Sequence, residues 1–424
     1  MKRYIKLLVV LGIILVGSFS LYLFKGYKKD TLVYENNKVK PTSSGIAMML
    51  ETAAGSGNYE MTTKSEWPTD GYIFNSTLSK CENGGELSWD DENKRVVMSG
   101  NVSDKCYVYF DVYAKPQVLL ANYVKSLYVS NNGENGIYYH DASLTNGAGD
   151  NSYRFAGASD AVNNYVCFGS SESTCPADNL YRIIGVFGDR VKLIKSDYAT
   201  SALLATDGDY DQAYTAAGNN SSNYKGNNLA NIAGYSWNYK NNTSINSGMG
   251  SNTWSTSLLN KTNLNKNFIT NIGAEWANKI DMTTWKVGGN TSDNIAKHPA
   301  KTAYQNEIVN NKTEYSAKIG LMYVSDYMYA AAQDKWTLVG LNNSDASKDY
   351  SAATSVNWMY MGLFEWTISR NAGYANSVFF VNFTGNLSYG YAINAFGVRP
   401  VFYLTSSVNY VSGSGTAADP ILVN

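Results

Sequence analysis

The run from Leu7 to Phe24 holds no charged residue, and it follows directly on Met-Lys-Arg-Tyr-Ile-Lys. Its 18 residues make a helix of about 27 Å, and snorkelling by Lys6 and Lys25 extends that reach to a bilayer core of roughly 30 Å. Such a segment removes itself from any water-soluble core and commits the rest of the chain to one side of a membrane. Residues 1–29 are therefore expected to be a retained transmembrane signal-anchor. A cleaved signal peptide is the competing reading, because Ser18-Phe19-Ser20 has the small-x-small form of a cleavage site. Against it, Leu21-Tyr22-Leu23-Phe24 continues the apolar run past that point, and no lipobox cysteine follows. Flanking charge does not set the direction, since Lys2, Arg3 and Lys6 precede the segment and Lys25, Lys28 and Lys29 follow it.

The cysteines help to set it. Cys81, Cys106, Cys167 and Cys175 fall as two local pairs downstream of the apolar run. Two disulfides, Cys81–Cys106 and Cys167–Cys175, are the economical reading in an oxidising compartment. Other connectivities are open to four cysteines, and four free thiols would fit a cytoplasmic protein. No Cys-x-x-Cys is present and the only histidines are His140 and His298, too few ligands at sensible spacing for zinc. The expectation is a single-pass cell-membrane protein with its C-terminal bulk extracellular, contacting the membrane through residues 7–24.

Composition narrows the partners. The net charge of −1 gives no electrostatic case for nucleic acid. Charged residues are 16% of the chain, against about a quarter in ordinary domains, and Asn, Ser, Thr, Gly and 34 Tyr fill the polar surface instead. That surface suits contact with carbohydrate or protein. An AT-rich genome would produce the same bias.

Residues 30–45 read as a linker. Ile46 to Ala54 reads as a short helical piece. Strands are expected at Gly71–Phe74, Glu86–Trp89, Arg95–Met98 and Cys106–Val112, separated by turns. Residues 46–113 are thus a small all-β, sandwich-like domain stapled by Cys81 and Cys106. Residues 114–152 form a connecting helix, from Val118 to Tyr128, and a loop. The larger domain spans 153–424. Its best local signal is a hairpin, Leu180–Phe187 and Val191–Lys195 about Gly188-Asp189-Arg190. Residues 205–252 form long loops. Trp254 to Trp276 reads as short helices, and Trp366–Ser369, Val378–Val381 and Val398–Leu404 as strands.

Five landmarks stand in order: Tyr181-Arg182-Ile183-Ile184-Gly185-Val186 with Val191-Lys192-Leu193-Ile194; Trp254-Ser255-Thr256-Ser257-Leu258-Leu259-Asn260; Ile319-Gly320-Leu321-Met322-Tyr323-Val324-Ser325-Asp326; Trp366-Thr367-Ile368-Ser369-Arg370; and Gly397-Val398-Arg399-Pro400-Val401. Over roughly residues 153–405 this order resembles an uncharacterised family of bacterial exported domains. Its members are similar to formylglycine-generating (sulfatase-modifying) enzymes and to the variable proteins of diversity-generating retroelements. The N-terminal half resembles surface proteins of gut Firmicutes-like bacteria. The resemblance implies an α+β fold in which the C-terminal domain is C-type-lectin-like. The chemistry of those relatives does not carry over. Their copper-binding cysteines lie late in the fold, and no cysteine follows Cys175 here.

Other chemistry is equally thin. Neither histidine lies in a nucleophile–base context, there is no Gly-x-Ser-x-Gly, and no compact acidic cluster argues for a glycosidase. Asp207-Gly208-Asp209-Tyr210-Asp211 begins like a calcium loop, but Gln212 stands where Gly is needed and Gly218 where a bidentate Glu is needed. A solvated acidic turn is the alternative. Arg399, inside an apolar strand, is expected to be buried and tied to a carboxylate or carbonyls. Tyr210, Tyr235, Trp237 and Tyr239 lie in low-periodicity polar sequence, where they could stack on a ligand or pin the long loop to its own domain. The expectation is a non-catalytic surface protein, not an enzyme and without a cofactor, that binds a glycan or a surface protein. A structural surface component without a discrete ligand is the alternative, and an enzyme of unrecognised type a more distant one.

Overall fold

The computed structural model describes residues 31–33, 45–68, 70–100, 104–113, 117–172, 174–217, 222–341 and 344–424. The expected anchor at 7–24 lies outside them. Among the described residues no helix is long and apolar enough to cross a membrane. The chain divides into two compact units, Met1–Pro116 and Gln117–Asn424.

The first unit is all β among its described residues. Ile46–Glu51 runs parallel to Cys106–Val112 within a five-stranded sheet, and Thr31–Val33, Arg95–Ser99 and Glu86–Asp90 form a three-stranded one. Ile46, Met48, Val108 and Phe110 of the first sheet share a core with Val96 and Met98 of the second and with Trp67. Ile46–Glu51 is a strand and not the helical piece expected. Ile46 and Met48 are buried on one face, and this period of two suits a strand lying against Cys106–Val112. Cys81 and Cys106 are opposite residues on neighbouring strands and are joined by a disulfide.

In the second unit, eight strands of a ten-stranded sheet stand in the order Ile319–Gly320, Val401–Tyr403, Arg190–Lys195, Leu180–Phe187, Tyr165–Cys167, Ile421–Val423, Asn409–Ser412, Val118–Leu119, and the other two, Ile137–Tyr139 and Tyr153–Phe155, pair with each other, the latter also pairing with Leu180–Phe187. Every pairing along this order is antiparallel except that of Tyr165–Cys167 with Ile421–Val423. Gly185 marks a bulge in the central hairpin, and a side chain there would collide with the Tyr153 carbonyl of the adjoining strand. A three-stranded sheet, Glu365–Arg370, Ser377–Val381 and Leu387–Tyr391, shares the same core, so Ile183, Phe379 and Val401 belong to one hydrophobic cluster. Cys167 and Cys175 form the second disulfide.

Two expectations are corrected. The α+β, C-type-lectin-like assignment fails: among the described residues strand accounts for 31% and helix for 20%, with the strands in several sheets. The helices that an α+β domain needs are only short pieces, such as the 7-residue Leu120–Ser126 and the 10-residue π-helical Leu259–Phe268. Asparagine is a poor helix former, and in the latter segment Asn263, Asn265 and Asn267 instead bond carbonyls of distant segments, Leu204 and Ile319. Residues 117–152 are also more than a connection. Leu120, Ala121 and Val124 enter the main core, and Val118–Leu119 closes one edge of the large sheet.

Candidate functional site

The aromatic residues expected to meet a ligand divide by burial. Trp237 and Tyr235 are fully buried. Trp237 packs 4.8 Å from Trp254 and donates its Nε1–H to the Thr367 carbonyl at 2.9 Å, and Tyr235 donates its hydroxyl to the Ala205 carbonyl. Both rings therefore pin the 205–252 segment to its own domain and are withdrawn from the proposed ligand face. Tyr210 and Tyr239 are half-buried, and the Tyr210 ring meets that of Tyr235 edge-on.

The aspartate string does not form a cation loop. Asp209 is fully buried, and its two carboxylate oxygens accept the backbone N–H groups of Tyr239, Lys240, Leu258 and Leu259 at 2.8–3.1 Å. Asp207 accepts from the Asn267 amide, and Asp211 is exposed. Among the described residues one trio, Cys81, Asp104 and Cys106, brings metal-ligating atoms together. Its sulfurs are spent in the disulfide, and Asp104 accepts three N–H bonds from Asn83 and Gly85.

The 117–424 unit holds a cleft of about 430 Å³, bordered by Tyr165, Asp197, Lys225 and Tyr360 and lined by the buried Arg182. Arg182 is 3% exposed. It extends from the Leu180–Phe187 strand, and all five of its N–H groups are used by the protein: Nε to Asn164 Oδ1, Nη1 to Ser159 Oγ and the Trp358 carbonyl, Nη2 to the carbonyls of Ser159 and Val162. Tyr165 and Trp358 stack on the guanidinium at 4.2 and 4.7 Å. Burial pulls its pKa below the ordinary arginine value; Tyr165 opposes this and the charge of Arg399 adds to it. With no donor left over, Arg182 ties the cleft walls together and offers nothing to an anion.

Arg399 is fully buried, as its sequence context led us to expect. It makes a bidentate pair with Glu365, Nε to Oε1 at 2.7 Å and Nη2 to Oε2 at 2.9 Å, and donates to the Met359 carbonyl. Burial raises Glu365, and Arg399 opposes the rise. Met359 adjoins Trp358, so two arginines anchor the same stretch of backbone. The groups left for a ligand are at the rim. Asp160, Lys225 and Asn227 are exposed there, and their side chains have no partner among the described residues. Asp197 holds the Tyr224 hydroxyl at 2.5 Å.

No protein-family model, curated protein or solved structure matches the chain. None of the cleft residues was expected from sequence. The available signal was a charge inside an apolar run, which also marks Arg399, although the strand that follows it begins only at Val401.

Proposed function

We propose that this chain is an exported, non-catalytic binding protein whose 117–424 unit takes a neutral saccharide in the cleft over Arg182. The observation that carries the reading is the division of labour in that cleft. Its buried cation is fully spent on structure, while the exposed side chains of Asp160, Lys225 and Asn227 remain at its rim. A ligand would meet amide, carboxylate and ammonium groups there, which suits the hydroxyl groups of uncharged sugar rings. The two disulfides support a location in an oxidising compartment.

A glycan array probed with the full chain tests this. Capture of a neutral saccharide is expected. Asp160→Ala and Lys225→Ala, both at exposed positions, should each weaken capture about ten- to a hundredfold, as loss of a hydrogen bond to a charged group weakens binding by roughly 1.5–3 kcal/mol. Binding that survives both substitutions would move the site elsewhere. A silent array would leave a structural surface role.

A further inference from the structure

Lys192 is a charged residue facing inward from the central hairpin. It is 1% exposed, and its Nζ lies 2.5 Å from Oδ2 of Asp326, itself 3% exposed. The rings of Tyr323, Tyr403, Phe187 and Trp285 stand 4.8–5.8 Å from that nitrogen. Asp326 is held still. Its Oδ2 also accepts the Tyr323 N–H at 2.9 Å, in the first turn of the Val324–Tyr329 helix. The next two amides of that turn, Val324 and Ser325, donate to the carboxylate of buried Glu307, which also accepts from the Ser369 hydroxyl. An amine and a carboxyl group are therefore in contact, dry and immobilised on two rigid elements.

An ion pair so placed is expensive to keep, because each charge has lost its water. Condensation would remove both charges at once. We propose that Lys192 and Asp326 become joined by an intramolecular isopeptide bond once the core has closed around them. A proton passes from the ammonium to the carboxylate, leaving a neutral amine and a neutral acid. Nζ attacks Cγ and forms the C–N bond. The C–O bond to the departing hydroxyl breaks, that hydroxyl takes the second proton from nitrogen, and one water leaves. Nothing is oxidised or reduced, and no co-reactant is needed. Fixed contact replaces a bimolecular encounter, and such placement supplies effective concentrations on the order of 10⁵ M or more. Exclusion of water opposes the reverse hydrolysis. Glu307 is a positioning residue: by capping the first helical turn it fixes where Asp326 stands. The bond does not depend on the cleft or its ligand.

Tryptic digestion of the folded full chain, followed by mass spectrometry, tests the proposal. The expected product is one branched peptide uniting the segments that hold Lys192 and Asp326, lighter than their sum by one water and uncut after residue 192. Asp326→Asn should give the same branched peptide with loss of ammonia instead. Lys192→Arg, which keeps the charge, should give two linear peptides and normal cleavage. Glu307→Gln should slow the appearance of the branched peptide during refolding, and an unchanged rate would remove its positioning role. Two linear peptides from wild-type chain that is folded, with both disulfides intact, would overturn the bond and leave an ordinary ion pair.

Discussion

His140 is fully buried against Trp336 and Tyr329, with Nδ1 accepting the Ala148 N–H at 3.1 Å. Nε2 has no partner among the described residues. Burial holds this imidazole well below its ordinary range; Arg154 adds to the effect and Asp150 opposes it. The folded state thus keeps a neutral ring, whereas the unfolded chain takes up a proton near pH 6.5. Stability conferred by the ring is present above that value and falls as the pH drops through it. Urea unfolding at about pH 7.5 and about pH 5 should show a loss of about 2 kcal/mol assignable to this residue, from roughly 1.4 kcal/mol per pH unit. His140→Asn, which keeps an acceptor for Ala148, should flatten the dependence, and an unchanged pH profile in that variant would exclude the residue as its source. Arg182 teaches a related lesson at the same scale. Its position within Tyr181-Arg182-Ile183 shows a charge bound for the interior, just as Val398-Arg399-Pro400 does. The acceptors that satisfy it, Ser159, Val162, Asn164 and Trp358, reach it only through tertiary folding, so its place in the lining of a cleft is not visible in a linear string.

The 205–252 segment holds a short antiparallel pair, Tyr210–Ala213 with Ala233–Tyr235, and carries Trp237 into the core. Trp237→Ala should cost about 3–5 kcal/mol in chemical denaturation, the range for deleting a buried large aromatic. A melting temperature near wild type would return the ring to the surface. What could be read in advance here follows the range of the forces. The Leu180–Phe187 and Arg190–Lys195 hairpin is announced by its Gly188-Asp189 turn and by apolar runs on both sides. The strands Glu86–Asp90 and Arg95–Ser99 are announced in the same way by their acidic turn. Ile46 to Ala54 reads as helical although Ile46–Glu51 is a strand, because so short a segment carries too little pattern to separate the two. The segment around Asn263 reads as ordinary helix in sequence but is π-helical, its shape fixed by amide bonds to carbonyls more than 50 residues away. No local rule covers such contacts.

At the scale of the whole molecule, the two units differ in what holds them. Among its described residues the first rests on eight buried apolar side chains, a thin core for which a covalent staple matters. Opening Cys81–Cys106 should lower its stability by about 3 kcal/mol. Calorimetry of wild type and of the double variant Cys81→Ser/Cys106→Ser, which leaves Cys167–Cys175 closed, should therefore show one transition moving down while the other stays, and two unmoved transitions would remove the staple's role. The larger unit has a different dependence. Ile421–Val423 lies between Tyr165–Cys167 and Asn409–Ser412, in the body of the ten-stranded sheet. Its partner Tyr165–Cys167 is made some 250 residues earlier, and until residues 421–423 arrive the sheet has a gap with open strand edges on both sides. A chain still lacking those residues holds an unfinished sheet, so the order in which the strands are made sets when the unit can close.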